Sequence, residues 1–333
     1  MDPVVDVHAH ALPLPLLEGL ERDGLADLSD LPRGVLRLAP QLSGLAAGAP
    51  IPLPPEQYEV SARRAAMAAT GVTRQLVSAP PFVFGSLCPD DALVLEVTRR
   101  SNDALAAHVA GSGGALLGLG TVPVGLPGAA DELTRCLDEL RLAGAAIGTF
   151  GGGRELDDPV NEELWATLAA RRCFTLLHPS RASAPERLAG FHLVQLLGYP
   201  AETALAATRL VLGGVLDRHD LVLCLVHGGG CLPAALPRLD LGWERKPVAR
   251  TSAAPPSRYL RRFFLDTAVF DAVALRRLVA DAGADRVLLG TDFPFDLADR
   301  DPVGTVDALG LSPADRAAVL GATAIRLLGA TVR

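Results

Sequence analysis

Eight short apolar runs, each followed by a longer segment of helical periodicity, constrain this sequence more than any other feature. The runs cover residues 4–7, 75–78, 116–122, 145–148, 174–177, 221–226, 263–266 and 287–290. They are continuously apolar rather than alternating, as strands buried on both faces must be. The segments between and after them, at 55–69, 90–109, 129–142, 160–171, 201–215, 232–239, 272–281 and 312–328, carry helical patterns. Ser312 followed by Pro313 reads as an N-cap with proline at the first helical position. Strand–helix units repeated eight times predict an α/β fold, a (β/α)8 TIM barrel closed on itself with a C-terminal helix; an open doubly wound sheet is the alternative.

At 333 residues the chain is long, but barrels of this kind form one unit at such lengths, so residues 1–333 are predicted as a single domain. Two stretches break the rhythm. Residues 12–54 are rich in proline and glycine without a clear period, and predict a small lid or insertion after strand 1. Residues 243–257 read as irregular loop near an interface or the site. Residues 109–130 carry no charge, yet seven glycines and two prolines there fit loop, strand and loop rather than a membrane helix.

Hydrophobic residues make up 49% of the chain and charged ones 21%, enough for a large core, and only 5% are aromatic. The net charge of −7, with a pI near 5.5, excludes a clustered basic footprint for nucleic acid. Five cysteines without a CxxC pair, several inside apolar runs, predict buried free thiols in a reducing, cytoplasmic compartment. No basic segment followed by an apolar one opens the chain, so no signal peptide is expected.

The histidines carry the chemistry. His8 ends the first predicted strand and His10 follows two positions on, where extended backbone returns to the same side. His178 follows the fifth strand at once, His227 the sixth, and Asp292 stands two residues beyond the eighth. All lie at the carboxyl ends of barrel strands, the face on which barrel enzymes build their sites. Asp292 alone would suit a helix N-cap. Beside imidazoles it supplies a hard anionic ligand, and a set of nitrogens plus one carboxylate suits Zn²⁺, with Mn²⁺ as the other candidate, leaving a position open for water.

The opening Asp6-Val7-His8-Ala9-His10 resembles the DxHxH motif of the amidohydrolase superfamily. Leu177-His178-Pro179, Val226-His227-Gly228-Gly229-Gly230 and Leu289-Gly290-Thr291-Asp292-Phe293-Pro294-Phe295 are similar to later motifs of its branch of non-oxidative decarboxylases, the one that includes the aminocarboxymuconate semialdehyde decarboxylases. Leu117-Gly118-Leu119-Gly120-Thr121-Val122-Pro123, Tyr199-Pro200-Ala201-Glu202-Thr203 and Gly213-Gly214-Val215 continue the likeness in the same order, over nearly the whole chain. The resemblance implies a metal held by His8, His10, His178 and Asp292, with His227 as the acid/base beside it rather than a firm ligand. It implies a carboxy-lyase acting on a small unsaturated or aromatic carboxylic acid; a hydrolase or hydratase on the same scaffold is the alternative, since fold and metal do not fix the reaction. A non-catalytic binding protein is a third reading, against which the complete set of ligands speaks.

Arg238, eleven residues after His227, matches an arginine that grips a substrate carboxylate across a homodimer interface in the family; a surface arginine is the other reading. Phe82, Phe84, Trp243 and Phe295 are expected at the substrate pocket, or else in ordinary packing. The sequence also departs from the family. Residues 46–54 hold no basic residue where a second carboxylate-binding arginine is expected, leaving Arg33 or Arg37 as substitutes, and His178-Pro179 is followed by Ser180-Arg181 rather than by an aromatic residue and an acid. Retained metal chemistry on an altered substrate is the expectation.

Overall fold

A computed structural model describes residues 3–329. Eight parallel strands form one sheet in sequence order. They are β1 (Val5–His10), β2 (Arg74–Ser78), β3 (Leu116–Val122), β4 (Gly144–Ile147), β5 (Phe174–Leu177), β6 (Val222–Leu225), β7 (Phe264–Asp266) and β8 (Val287–Leu288). The sheet closes where Val7 N donates to Leu289 O at 2.8 Å and His10 N to Phe293 O at 2.8 Å, with Ala9 bridging Phe293 in parallel. The barrel is thus the outcome, and the open sheet is excluded.

The helices form the outer ring: α1 (Val60–Ala69), α2 (Asp91–Ala110), α3 (Ala129–Asp138), α4 (Glu162–Ala170), α5 (Tyr199–Leu212), α6 (Leu232–Arg245) and α7 (Ala272–Ala282). Local chemistry sets their starts. Asp90 and Asp271 accept backbone N–H groups of the first turns of α2 and α7, and the Ser312 hydroxyl accepts from Asp315 N ahead of Pro313–Ala317. The last helical residues, Thr323–Leu328, follow a π turn over Ala318–Ala322. Strand residues are buried almost without exception, so strand side chains pack both the interior and the layer beneath the helices.

The expected insertion takes a definite form, and the irregular reading of 243–257 is corrected at its start. The segment after β1 is ordered: helix Leu14–Arg22 leads into a three-stranded antiparallel sheet of Ala26–Asp27, Val35–Leu38 and Ile51–Pro52. Strands of two to four residues are too short to show a period in sequence. Likewise α6 runs on to Arg245 with Pro237 inside it, so Trp243 is helical rather than in a loop. All five cysteines are free; Cys88, Cys136, Cys173 and Cys224 are buried and Cys231 is exposed. No helix among the described residues is long and apolar enough to cross a membrane.

Candidate metal centre

β1 is extended to its end, so His8 and His10 emerge together inside the barrel mouth, both fully buried. Their Nε2 atoms stand 3.3 Å apart. Each ring is fixed from behind: His8 Nδ1 lies 2.7 Å from Asp266 Oδ2, and His10 Nδ1 lies 3.2 Å from Ser78 Oγ and 3.4 Å from Ala79 O. With Nδ1 protonated toward those acceptors, the two Nε2 lone pairs converge. Ligand atoms at ~2.1 Å from one ion, separated by ~90–110°, stand roughly 3.0–3.4 Å apart, so this spacing fits a shared cation.

His178 leaves the end of β5 with Nδ1 2.7 Å from the Pro179 carbonyl, while its Nε2 is buried with no acceptor or donor within hydrogen-bond distance. Burial pushes its pKa down to about 3, so the ring is a neutral donor of its lone pair. Asp292 follows β8 in left-handed backbone (φ 63°), its N–H held by His8 O at 2.8 Å. That conformation is uncommon outside glycine and is retained here at a functional position. Its Oδ1 lies 3.2 Å from His8 Nε2, 3.1 Å from His10 Nε2 and 3.9 Å from His178 Nε2. Burial opposes ionisation of Asp292, but the charge of His8 and the imidazole hydrogen bonds hold it well below the usual carboxylate range. Conversely, burial would lower His8, yet Asp292 and Asp266 outweigh it and hold His8 up to about 10. The field at this point calls for a positive charge. A metal ion would supply it, and an orphaned buried nitrogen aimed at the same place is a further fit.

His227 is treated differently by the fold. It follows β6 at φ 55°, and Gly228, Gly229 and Gly230 continue with positive φ. A β-carbon on Gly230 would fall on the Pro200 carbonyl oxygen, so the turn requires glycine there. His227 Nε2 faces the other carboxylate oxygen, 3.5 Å from Asp292 Oδ2, and its side chain is 13% exposed against 0–2% for the other three imidazoles. By distance alone His8, His178, His227 and Asp292 each offer a donor atom within 4.8 Å of one another. The split of the two carboxylate oxygens nevertheless sets His227 apart, at the open side.

Aromatic side chains border this cluster. The Phe295 ring centroid is 5.0 Å from that of His10 and 6.4 Å from that of Phe82, and Tyr199 lies 6.2 Å from His178. Tyr199 donates to Ser180 O at 3.2 Å, and burial raises its phenol to about 12. Phe84 is buried in the wall beside Ser86, Thr121 and Gly148, with no ring contact to the imidazoles. Trp243 is placed elsewhere: in the last turn of α6 its Nε1 donates to Ser252 O at 3.2 Å under the Arg250 guanidinium. Arg238 stands exposed on α6. Arg33 and Arg37 are engaged by Asp30 at 3.0 and 2.7 Å.

Two contributors escaped the sequence, and Asp6 was visible only as the first residue of the DxHxH motif. Asp266, at the end of β7, ties His8 to the His227 turn, since its Oδ1 accepts from Gly228 N at 2.8 Å. Its strand-end position was the available signal. Asp6 accepts from His8 N, Gln75 Nε2, Thr291 N and Thr291 Oγ1, fastening β1 to β2 and to the Asp292 loop. Buried Arg63 reaches the His10 carbonyl from α1, and nothing local announces this.

The family model described as Amidohydrolase matches residues 5–330. The chain is 33% identical over 261 residues to the 2-amino-3-carboxymuconate-6-semialdehyde decarboxylase of Dictyostelium discoideum, covering 77% of this chain and 72% of that protein. It is 32% identical over 248 residues to the gamma-resorcylate decarboxylase of Rhodococcus jostii, covering 68% and 75%. Among solved structures, the dihydroxybenzoic acid decarboxylase of Polaromonas sp. JS666, determined with manganese and 2-nitroresorcinol, superposes with a TM-score of 0.74 at 23% identity over 98% of this chain and 97% of that one.

Proposed function

The chain belongs to the amidohydrolase family, and from that premise we propose that it is a divalent-metal-dependent, non-oxidative decarboxylase, a carbon–carbon lyase of a small unsaturated or aromatic carboxylic acid. The observation that carries the reading is the divided carboxylate. Asp292 Oδ1 joins His8, His10 and His178, whereas Oδ2 alone faces His227.

In this reading His8, His10, His178 and Asp292 hold one ion, Zn²⁺ or Mn²⁺, both of which suit nitrogen and carboxylate donors. When bound, the ion supplies the charge that steadies electrons released toward the substrate's oxygen. Asp266 keeps the His8 ring oriented, and buried imidazoles exclude bulk water from the donor side. His227, partly open to solvent, delivers a proton to the carbon that loses its carboxylate. One C–C bond breaks, one C–H bond forms, CO₂ leaves, and solvent recharges His227. The named activities of the relatives support the lyase over a hydrolase.

Carbon dioxide release from a panel of aromatic and unsaturated acids by the metal-loaded protein is the test. His227→Asn should retain metal while turnover falls about 10²–10⁴-fold. Metal loss equal to that of His178→Ala would make His227 a ligand, and carbonyl hydrolysis without CO₂ would replace the lyase by a hydrolase.

The assembly belongs to the same proposal. Exposed Arg238 lies on an outer helix, so a role at a site requires a second copy of the chain to present it. Inactive Arg238→Ala chains mixed with inactive His227→Ala chains should regain activity on subunit exchange. Proven exchange without recovery would leave Arg238 a surface residue.

A further inference from the structure

Arg181 lies three residues beyond His178, on the loop leaving the carboxyl end of β5. It is half-buried, its Nε is shielded from solvent, and no acceptor meets that nitrogen. Among the described residues the guanidinium makes no hydrogen bond and no ion pair. A shielded N–H without an acceptor is a place where a ligand oxygen can bind.

Its surroundings say where that oxygen comes from. On one side the insertion presses against it: an ideal β-carbon at Gly44 would stand 3.2 Å from Arg181 Nε and 3.5 Å from its Cδ. Gly44 sits at φ 65° without a side chain, so the arginine stem has room. On the other side is Tyr199, whose ring is 6.2 Å from His178 and whose phenol feels both Arg181 and Asp292. Tyr199 donates to Ser180 O, the carbonyl next to Arg181, and Ser180 Oγ is pinned by Ser86 Oγ at 2.6 Å. The arginine therefore stands on the loop leaving β5, beside the Tyr199 ring that borders His178. By contrast, Arg33 and Arg37 of the insertion already have carboxylate partners.

We infer that Arg181 sets substrate choice by gripping a second anionic oxygen group of the acid, across the ring from the end that meets the metal-binding residues. This deepens the decarboxylase reading and rests on it for the nature of the substrate. A planar guanidinium binds a carboxylate through two parallel N–H···O bonds, a geometry that lysine cannot copy.

The test uses the manganese-loaded protein and calorimetry with benzoate and with phthalate, isophthalate and terephthalate, which place a second carboxylate at three spacings. The wild type should bind isophthalate or terephthalate about tenfold or more tighter than benzoate, as a charged hydrogen-bonded pair implies, and a preference for phthalate alone would contradict a grip across the ring. Arg181→Gln should erase that preference while benzoate affinity, metal content and thermal midpoint stay unchanged, and Arg181→Lys should keep part of it. A wild type without preference for any dicarboxylate, or a glutamine variant that keeps it, overturns the inference. Because binding is read without turnover, the failures separate. Loss of the preference in a protein that releases no CO₂ upholds Arg181 and rejects the lyase, whereas CO₂ release with an unchanged preference does the reverse.

Discussion

Asp266 Oδ2 lies 2.7 Å from His8 Nδ1 with neither side chain exposed, and the other oxygen of the same carboxylate accepts from Gly228 N at 2.8 Å. One acid therefore orients a metal-facing imidazole and anchors the turn that carries His227. Gly290 makes the approach possible, because a β-carbon there would stand 2.7 Å from Asp266 Cβ and 3.0 Å from His8 Cβ. Asp266→Asn can satisfy one of the two partners but not both as acceptor. Metal affinity should fall about 10–100-fold, read by competition with a chelator. Unchanged affinity and turnover would reduce Asp266 to a packing residue.

The sequence showed His8, His10, His178, His227 and Asp292 because each is fixed by a local rule: it ends, or closely follows, a continuous apolar run. Asp266 obeys the same rule and Asp6 stands inside the first run, but their tasks depend on partners 258 and 285 residues away, His8 and Thr291. No spacing within one strand reveals such a pairing. Trp243 went astray for the opposite reason. Gly242 and the following Lys246-Pro247 look like the end of a helix, yet α6 continues to Arg245 and includes Trp243.

Removing the metal should destabilise the folded chain, because the ligands come from β1, β5 and the β8 loop and are assembled only by folding. Ligand at a hundred times its dissociation constant contributes about 2.7 kcal/mol, so the thermal midpoint should rise as Mn²⁺ or Zn²⁺ is added to chelated protein. His178→Ala and Asp292→Ala should abolish that rise. An Asp292→Ala protein that still gains stability from the ion would displace Asp292 from the ligand set.

Acid stability should depend on His108, on α2 and outside the site. Burial, and then the charge of Arg63, lower it from 6.5 to about 4, and its Nε2 has no partner. The unfolded chain therefore takes up a proton between these values that the folded chain refuses. Stability from this group is intact above about pH 6.5 and is lost as the pH falls toward 4. His108→Leu should narrow the drop in thermal midpoint across that window, and parallel curves for the two proteins would exclude the effect.

The turn after His227 should not tolerate a side chain. At Gly230, φ is 58° and a β-carbon would fall on the Pro200 carbonyl, which is backbone and cannot swing aside. Gly230→Ala should cost on the order of 1–3 kcal/mol of stability and reduce turnover by shifting His227. A fully active, equally stable variant would show that the turn relaxes freely.

Arg63 is a buried cation that reaches the backbone of the metal-facing strand end, and its loss should weaken both the fold and the site. Its Nε donates to Glu56 O at 2.7 Å, one terminal nitrogen donates to Gln75 Oε1 at 2.7 Å, and the other to the His10 carbonyl. The guanidinium also stacks 5.3 Å from the Phe293 ring centroid, next to Asp292 in the chain. Gln75 passes the contact on to Asp6, so the positive charge answers a carboxylate that burial raises to about 6. Arg63→Met fills similar volume but leaves three acceptors unpaired and Asp6 without its cation. Each unpaired buried acceptor costs about 1–3 kcal/mol, so a loss of ~3 kcal/mol or more is expected. Arg63→Lys keeps the charge without the fork and should fall between. Because one of the lost bonds holds the backbone of His10, metal affinity should weaken alongside the thermal midpoint in both variants. If stability falls while the metal binds as before, the network supports the barrel wall alone and leaves the His10 ligand where it was.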